Sequence, residues 1–151
     1  MKGNTNANVQ TPGKLYRASI NEGQTLSSEW NAKVLTTTLI DNGDPTLFTY
    51  NTNGVQVNRD GVYLITAGLG FRGGADGREM LLMVRHLRGS TTISTRNSRG
   101  LAVLYDAGVS LSTMFNAKSG DIFRVELNGT NTVVQTMFAP DESHIEVTYL
   151  G

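Results

Sequence analysis

Two histidines, thirteen acidic side chains and no cysteine bound the chemistry open to this 151-residue chain. Thiol nucleophiles, disulfides and thiolate metal sites are excluded. His86 sits inside an alternating apolar run and His144 opens the last such run, so no H-E-x-x-H or other paired-histidine spacing exists to ligate zinc. No serine lies in G-x-S-x-G, and Ser27-Ser28-Glu29-Trp30 has no histidine near it in sequence, so no nucleophile is matched with a base. Asp41, Asn42 and Asp44 in DNGDP offer oxygens to calcium, as do Asp141 and Glu142 after Pro140. Neither segment has the EF-hand pattern, and both have the composition of a turn. A glycan hydrolase needs two carboxylates facing one cleft, about 5–10 Å apart, and no such pair stands out. The expectation is therefore a protein that is not an enzyme, with no cofactor and no metal.

The nearest approach to a ligand motif is Tyr63–Gly74, YLITAGLGFRGG, where Gly68, Gly70 and Gly73 spell G-x-G-x-x-G after an apolar run. In a dinucleotide site the third glycine opens a helix facing the pyrophosphate, and an acid about 20 residues on holds the ribose. Here Gly74-Ala75-Asp76-Gly77 follows, a poor first helical turn, and the region where the acid belongs reads RGSTTISTR. The glycines are read instead as ending one strand and shaping a loop.

Arg85, Arg88, Arg96 and Arg99, with Arg72 and Arg78 close by, form the one basic neighbourhood in a chain of zero formal charge. Guanidinium forks suit oxyanions. These four arginines and the single tryptophan, Trp30, are the candidate ligand surface, for acidic glycans or an acidic protein; a solvated strand face is the alternative. Nucleic acid is not an expected partner, because the balanced charge gives no long-range attraction and no aromatics interleave with the arginines. No membrane partner is expected either, since the apolar runs are too short to span a bilayer.

The elements that must position these residues read as β throughout. KLYRASI, AKVLTTTLI, TLFTYNT, LLMVRHL, TTISTR, VSLSTMFNA, DIFRVELNG and HIEVTYL are short β-branched or alternating runs separated by Gly, Asn and Asp. Phe123, Val125 and Leu127 fall on one face of their run and Arg124 and Glu126 on the other; Ile145, Val147 and Tyr149 form the inner face of the last. Alternation recurring every 8 to 12 residues or so indicates a sandwich or barrel. In ADGREMLLMVRHL the Glu, Met and Leu residues suit a helix, yet the segment is read as a strand.

TLFTYNTNGVQVNRDGVYLITAGLGFR resembles the central signature of the complement-globular-head and tumour-necrosis-factor jelly-roll superfamily, through Gly54, Val55, Val57, Gly61, Tyr63 and Ile65. LLMVRHLRGSTTIS resembles the next strand pair, with Arg88-Gly89 where the family often has Asn-Gly. VSLSTMFNAKSGDIFRVELN resembles the family's GD segment, with Gly120-Asp121 as the turn, and SHIEVTYLG resembles the closing strand. The last strand lacks the usual F-x-G-x-x-L form, and there is no collagen stalk.

The resemblance implies an all-β, two-sheet jelly-roll sandwich over residues 15–151 that assembles as a homotrimer. Tyr63, Phe115, Phe138 and Tyr149 are candidates to stack near the threefold axis, unless they fill the core of one chain. Residues 1–14 form a polar arm ahead of it, with Lys2, Asn4, Asn6, Asn8 and Pro12 as anchoring candidates. The N-terminus has no hydrophobic core for a signal peptide. The expected setting is a bacteriophage virion assembled in the host cytoplasm, with the chain as head fibre or capsid decoration protein bound to capsid or tail components. The alternative is a tail-fibre tip that binds a receptor or host surface glycans.

Overall fold

The computed structural model describes residues 14–20, 31–32, 35–36, 44–51, 54–72, 79–101, 106–129, 136–137 and 143–151. These form strands β1 (Lys14–Ile20), β2 (Asn31–Ala32), β3 (Leu35–Thr36), β4 (Phe48–Asn51), β5 (Gly54–Val57), β6 (Gly61–Arg72), β7 (Glu79–Arg88), β8 (Thr91–Leu101), β9 (Asp106–Ala117), β10 (Ile122–Gly129), β11 (Thr136–Met137) and β12 (His144–Tyr149). There is no helix among the described residues. The Glu-, Met- and Leu-containing segment that suits a helix is strand β7, because it pairs on both sides, with β8 and β10. That tertiary pairing overrides local propensity.

The strands make two antiparallel sheets. The first runs β11-β6-β12-β1-β3, with β9 on the other side of β6; the second runs β4-β5-β10-β7-β8, with β2 also paired to β10. Tyr63, Ile65 and Ala67 of β6, Val109, Phe115 and Ala117 of β9, and Ile145, Val147 and Tyr149 of β12 point inward, and the inward set of β5, β7 and β10 meets them. The core holds Val55, Val57, Tyr63, Ile65, Ala67, Leu82, Val84, Phe115, Phe123, Val125, Ile145, Val147 and Tyr149. Its lower half is aromatic: Tyr63 lies 5.2 Å from Tyr149 and 6.2 Å from Phe48 and Phe123 between ring centroids, and Phe115 lies 5.2 Å from Phe123. Edge-to-face and tilted arrangements of this kind add to the area term.

Asp60-Gly61 takes the chain from β5 in one sheet to β6 in the other. Gly61 is needed at that crossing. Its φ is +154°, and a Cβ there would lie 2.6 Å from Tyr149 Cε2 and 2.8 Å from the Gly151 carbonyl oxygen. The close approach lets Val62 and the chain end exchange hydrogen bonds, Val62 N to Gly151 O at 2.8 Å and Leu150 N to Val62 O at 2.9 Å.

The G-x-G-x-x-G question resolves by topology. Gly68 and Gly70 lie inside β6, paired with Ser110 and Gly108 of β9. Gly68 faces the His144 ring, where a Cβ would come to 3.2 Å, and Gly70 N–H donates to Ser143 Oγ at 3.2 Å. Gly73 lies outside the described residues.

Candidate functional site

The polar side chains of the second sheet are organised around two buried acids. Asp121 closes the Lys118–Asp121 turn between β9 and β10, with its N–H donating to the Lys118 carbonyl at 2.9 Å. Its carboxylate is fully buried. Oδ1 accepts from Arg88 Nε at 2.8 Å; Oδ2 accepts from Arg88 Nη2 at 2.8 Å and Lys118 N–H at 2.9 Å, and lies 2.7 Å from His86 Nε2. An ionised carboxylate only accepts, so His86 Nε2 carries the proton. Burial pushes the Asp121 carboxyl up, but the donors from Arg88, Lys118 and His86 outweigh it and hold it at about 2. The His86 ring is buried against Phe123 and Phe115, with centroids at 5.0 and 5.5 Å. This histidine is a structural donor tying β7 to the β9–β10 turn.

The second acid is Glu126 on β10, buried although it belongs to the outward set. Arg85 of β7 grips it with both prongs, Nε to Oε1 at 2.9 Å and Nη2 to Oε2 at 2.6 Å. Arg124 donates to Oε1 from Nε at 2.8 Å and from Nη2 at 2.5 Å. Arg85 Nη1 also reaches Thr92 Oγ1 at 3.2 Å. Burial opposes ionisation of Glu126, yet the hydrogen bonds from Arg85 and Arg124 lower its pKa.

The sequence-based ligand surface is therefore divided. Arg85 and Arg88 are bound to buried carboxylates, and Arg96 donates to its neighbour's carbonyl, Thr95 O, and lies over the Phe115 ring, 5.8 Å from its centroid. Arg96 pairs with inward-facing Val84, whereas Arg85 and Arg99 belong to the outward set of that sheet, so the four arginines do not share one face. Trp30 and the arm residues Lys2, Asn4, Asn6, Asn8 and Pro12 lie outside the described residues, as does Phe138.

Of the trimer-axis candidates that could instead fill the core of one chain, Tyr63, Phe115 and Tyr149 are described, and they sit in that core. All three are on the inward face of their strands and are 0%, 5% and 1% exposed in a single chain. A side chain so covered by its own sandwich has no area left to bury against another copy. Burial also raises the Tyr63 hydroxyl pKa, aided by Tyr149, to about 12, while the hydroxyl donates to Arg59 O at 2.7 Å.

The surface that can bury area is the opposite face of the same strands. Pairing register puts Met114, Leu64 and Thr148 in one row across β9, β6 and β12; Ser112, Thr66 and Glu146 form the next row, and Asn116 sits beside Val62. Met114 is 62% exposed and Leu150, just past β12, is 41% exposed. Among the described side chains of these three rows, Glu146 is the only charged one, in register with Arg17 of β1. Sequence reading could have found Met114: it is one residue from inward Phe115, so alternation turns it outward.

Asp44 Oδ1 accepts from Thr46 N–H at 2.9 Å and Thr46 Oγ1 at 2.7 Å, the local pattern that favours Asp at turns. Among the described residues no group of three or more His, Asp or Glu is placed to hold a metal ion.

No protein-family profile matches the chain, and no curated protein sequence matches it. In three dimensions it is similar to murine APRIL. The crystal structure at pH 5.0 superposes with a TM-score of 0.69 at 13% identity, covering 91% of this chain and 99% of that one. The structure at pH 8.0 gives 0.68 at 15% identity with the same coverage. Eiger TNF from S. frugiperda gives 0.58 at 15% identity, covering 93% and 94%. The chain is an all-β, two-sheet sandwich of the tumour-necrosis-factor-like jelly-roll fold.

Proposed function

We propose that the chain is a non-enzymatic assembly module that works as a homotrimer, with the outer face of β9, β6 and β12 turned toward the threefold axis. The observation that carries this reading is the contrast between the two sheets. One outer face has exposed Met114 beside Leu64, with hydroxyl and amide side chains around them; the other carries Arg85, Arg124 and Glu126. Cores of protein interfaces are depleted of charge and enriched in methionine and aromatics. A ring of three copies closes without leaving such a face exposed. The test is Met114→Glu, which places three carboxylates in the proposed contact. It is expected to convert the trimer to monomer with unchanged β-sheet circular dichroism, while Ile93→Glu on β8 leaves the trimer intact. Trimers from both variants would remove this face from the assembly.

Within that module we place the chain on a bacteriophage particle, as a head fibre or capsid decoration protein. The support is compositional: a polar, asparagine-rich segment precedes a charge-neutral, cysteine-free sandwich. In this reading residues 2–13 anchor the trimer to the particle. Deleting them is expected to abolish occupancy on purified particles without changing the trimer mass; undiminished occupancy would contradict the anchoring role.

A further inference from the structure

Arg85 and Arg124 stand directly opposite each other on β7 and β10. Like charges in that position repel. Glu126 relieves the repulsion from below, taking two N–H groups from each guanidinium. One carboxylate for two guanidiniums leaves an excess positive charge. Both arginines remain partly exposed, at 24% and 29% of their side-chain area, so the unused N–H groups open toward solvent. A guanidinium has five N–H donors; Arg85 has three engaged and Arg124 two. The donors are already fixed in orientation by the buried acid, which removes most of the ordering penalty on binding.

We infer that Arg85 and Arg124 form a preorganised site for one further carboxylate, supplied by an aspartate or glutamate side chain of a partner protein. The chemistry favours a single carboxylate over a polyanion. A sulfated polymer or nucleic acid draws its affinity from many phosphate or sulfate contacts along a basic stripe. Here Arg88 is turned onto Asp121 and Arg96 onto the inward side of the sheet, and the chain as a whole is neutral. Beside the pair lies a small apolar ledge of half-buried Ile122 and buried Leu87, paired with each other in the next row. An arginine anchor next to apolar cover is the composition of an interface hot spot. The site is on the second sheet, away from the proposed trimer face, so its success or failure is independent of assembly state.

The experiment is a titration of the full chain, labelled at arginine Nε, with sodium acetate at ionic strength held constant by sodium chloride. Saturable shifts are expected for the Arg85 and Arg124 Nε–H signals and not for Arg88 or Arg96. Loss of one charge-assisted fork in Arg124→Gln is expected to weaken acetate about tenfold or more. Arg124→Lys keeps the charge and loses the fork; it is expected to weaken acetate as well, and it serves if the glutamine variant does not fold. A short glutamate peptide is expected to bind at the same signals. Equal shifts at every arginine, or no saturation, would overturn the site. Sulfate binding more tightly than acetate in a parallel titration would overturn its assignment to a carboxylate.

Discussion

At Asp121 four N–H donors from three places converge on one buried carboxylate: two from Arg88, one from Lys118 and one from His86. Removing it in Asp121→Ala leaves the buried His86 N–H without its acceptor, at an expected loss of about 1–3 kcal/mol, read as a lowered urea midpoint. The same residue sets an acid limit. Its folded pKa of about 2 lies below the model-compound 3.8, so the stabilisation is fully present above about pH 4. It is lost as pH falls through 4 toward 2, and the lowered pKa of Glu126 acts in the same direction. Urea midpoints measured between pH 6 and pH 2 are expected to drop for the parent chain across that window. In Asp121→Asn that drop is expected to be smaller; an equal drop would assign the acid sensitivity elsewhere. Tyr63→Phe deletes a hydroxyl that donates to Arg59 O at 2.7 Å and is expected to cost about 1 kcal/mol. A midpoint unchanged or raised in Tyr63→Phe would contradict that role.

At the scale of elements, the joints decide which strand goes to which sheet. The Lys118–Asp121 turn is clasped to the 58–60 crossing by Gly120 N to Val57 O, Val57 N to Asp121 O, Ser119 N to Asp60 Oδ1 and Ser119 Oγ to Asn58 O. Two glycines on the outside of this frame make opposite demands. Gly61→Ala drives a Cβ into Tyr149 and the Gly151 carbonyl, and a loss of about 2–4 kcal/mol is expected from overpacking and backbone strain together. Gly89, in the β7–β8 turn at φ +57°, has nothing within 4 Å of a Cβ, so Gly89→Asn is expected to stay within about 1 kcal/mol of the parent. Thermal midpoints of the two variants check the contrast; equal losses would mean that the crossing at Gly61 is less tightly packed than the structure has it.

Much at this scale was legible. Alternation in DIFRVELNG and HIEVTYL gave the inward sets Phe123, Val125 and Ile145, Val147, Tyr149, and Gly-Asp and Arg-Gly marked real turns. Alternation alone does not say what lies beyond each face. Tyr63, Phe115 and Tyr149 were correctly assigned to apolar faces, but whether a face meets its own second sheet or another copy depends on the pairing of distant strands. The partners of Arg85 and Arg88 were hidden for the same reason. Glu126 and Asp121 lie 41 and 33 residues away in sequence, brought near only by the register of β10 on β7.

For the whole molecule, the two outer faces set the orientation of any assembly. The β6–β9–β12 face brings Met114 and Leu64 to the surface, with Glu146 the one charge among the described side chains of the three rows around them, and the β7–β10 face brings arginines held by a buried glutamate. A chain with 13 positive and 13 negative side chains has little net repulsion to keep copies apart, so contact between apolar faces meets no long-range opposition. Among the described residues β9, twelve residues long, pairs only with β6, and covering that edge in an assembly would satisfy its outer row of backbone donors and acceptors. Whether the chain is a trimer is read from its solution molar mass, measured by light scattering after size exclusion. A trimer has three times 16.3 kDa, or 48.9 kDa, and that is the expected value. A single species at 16.3 kDa would contradict it, leaving the Met114 face uncovered in solution.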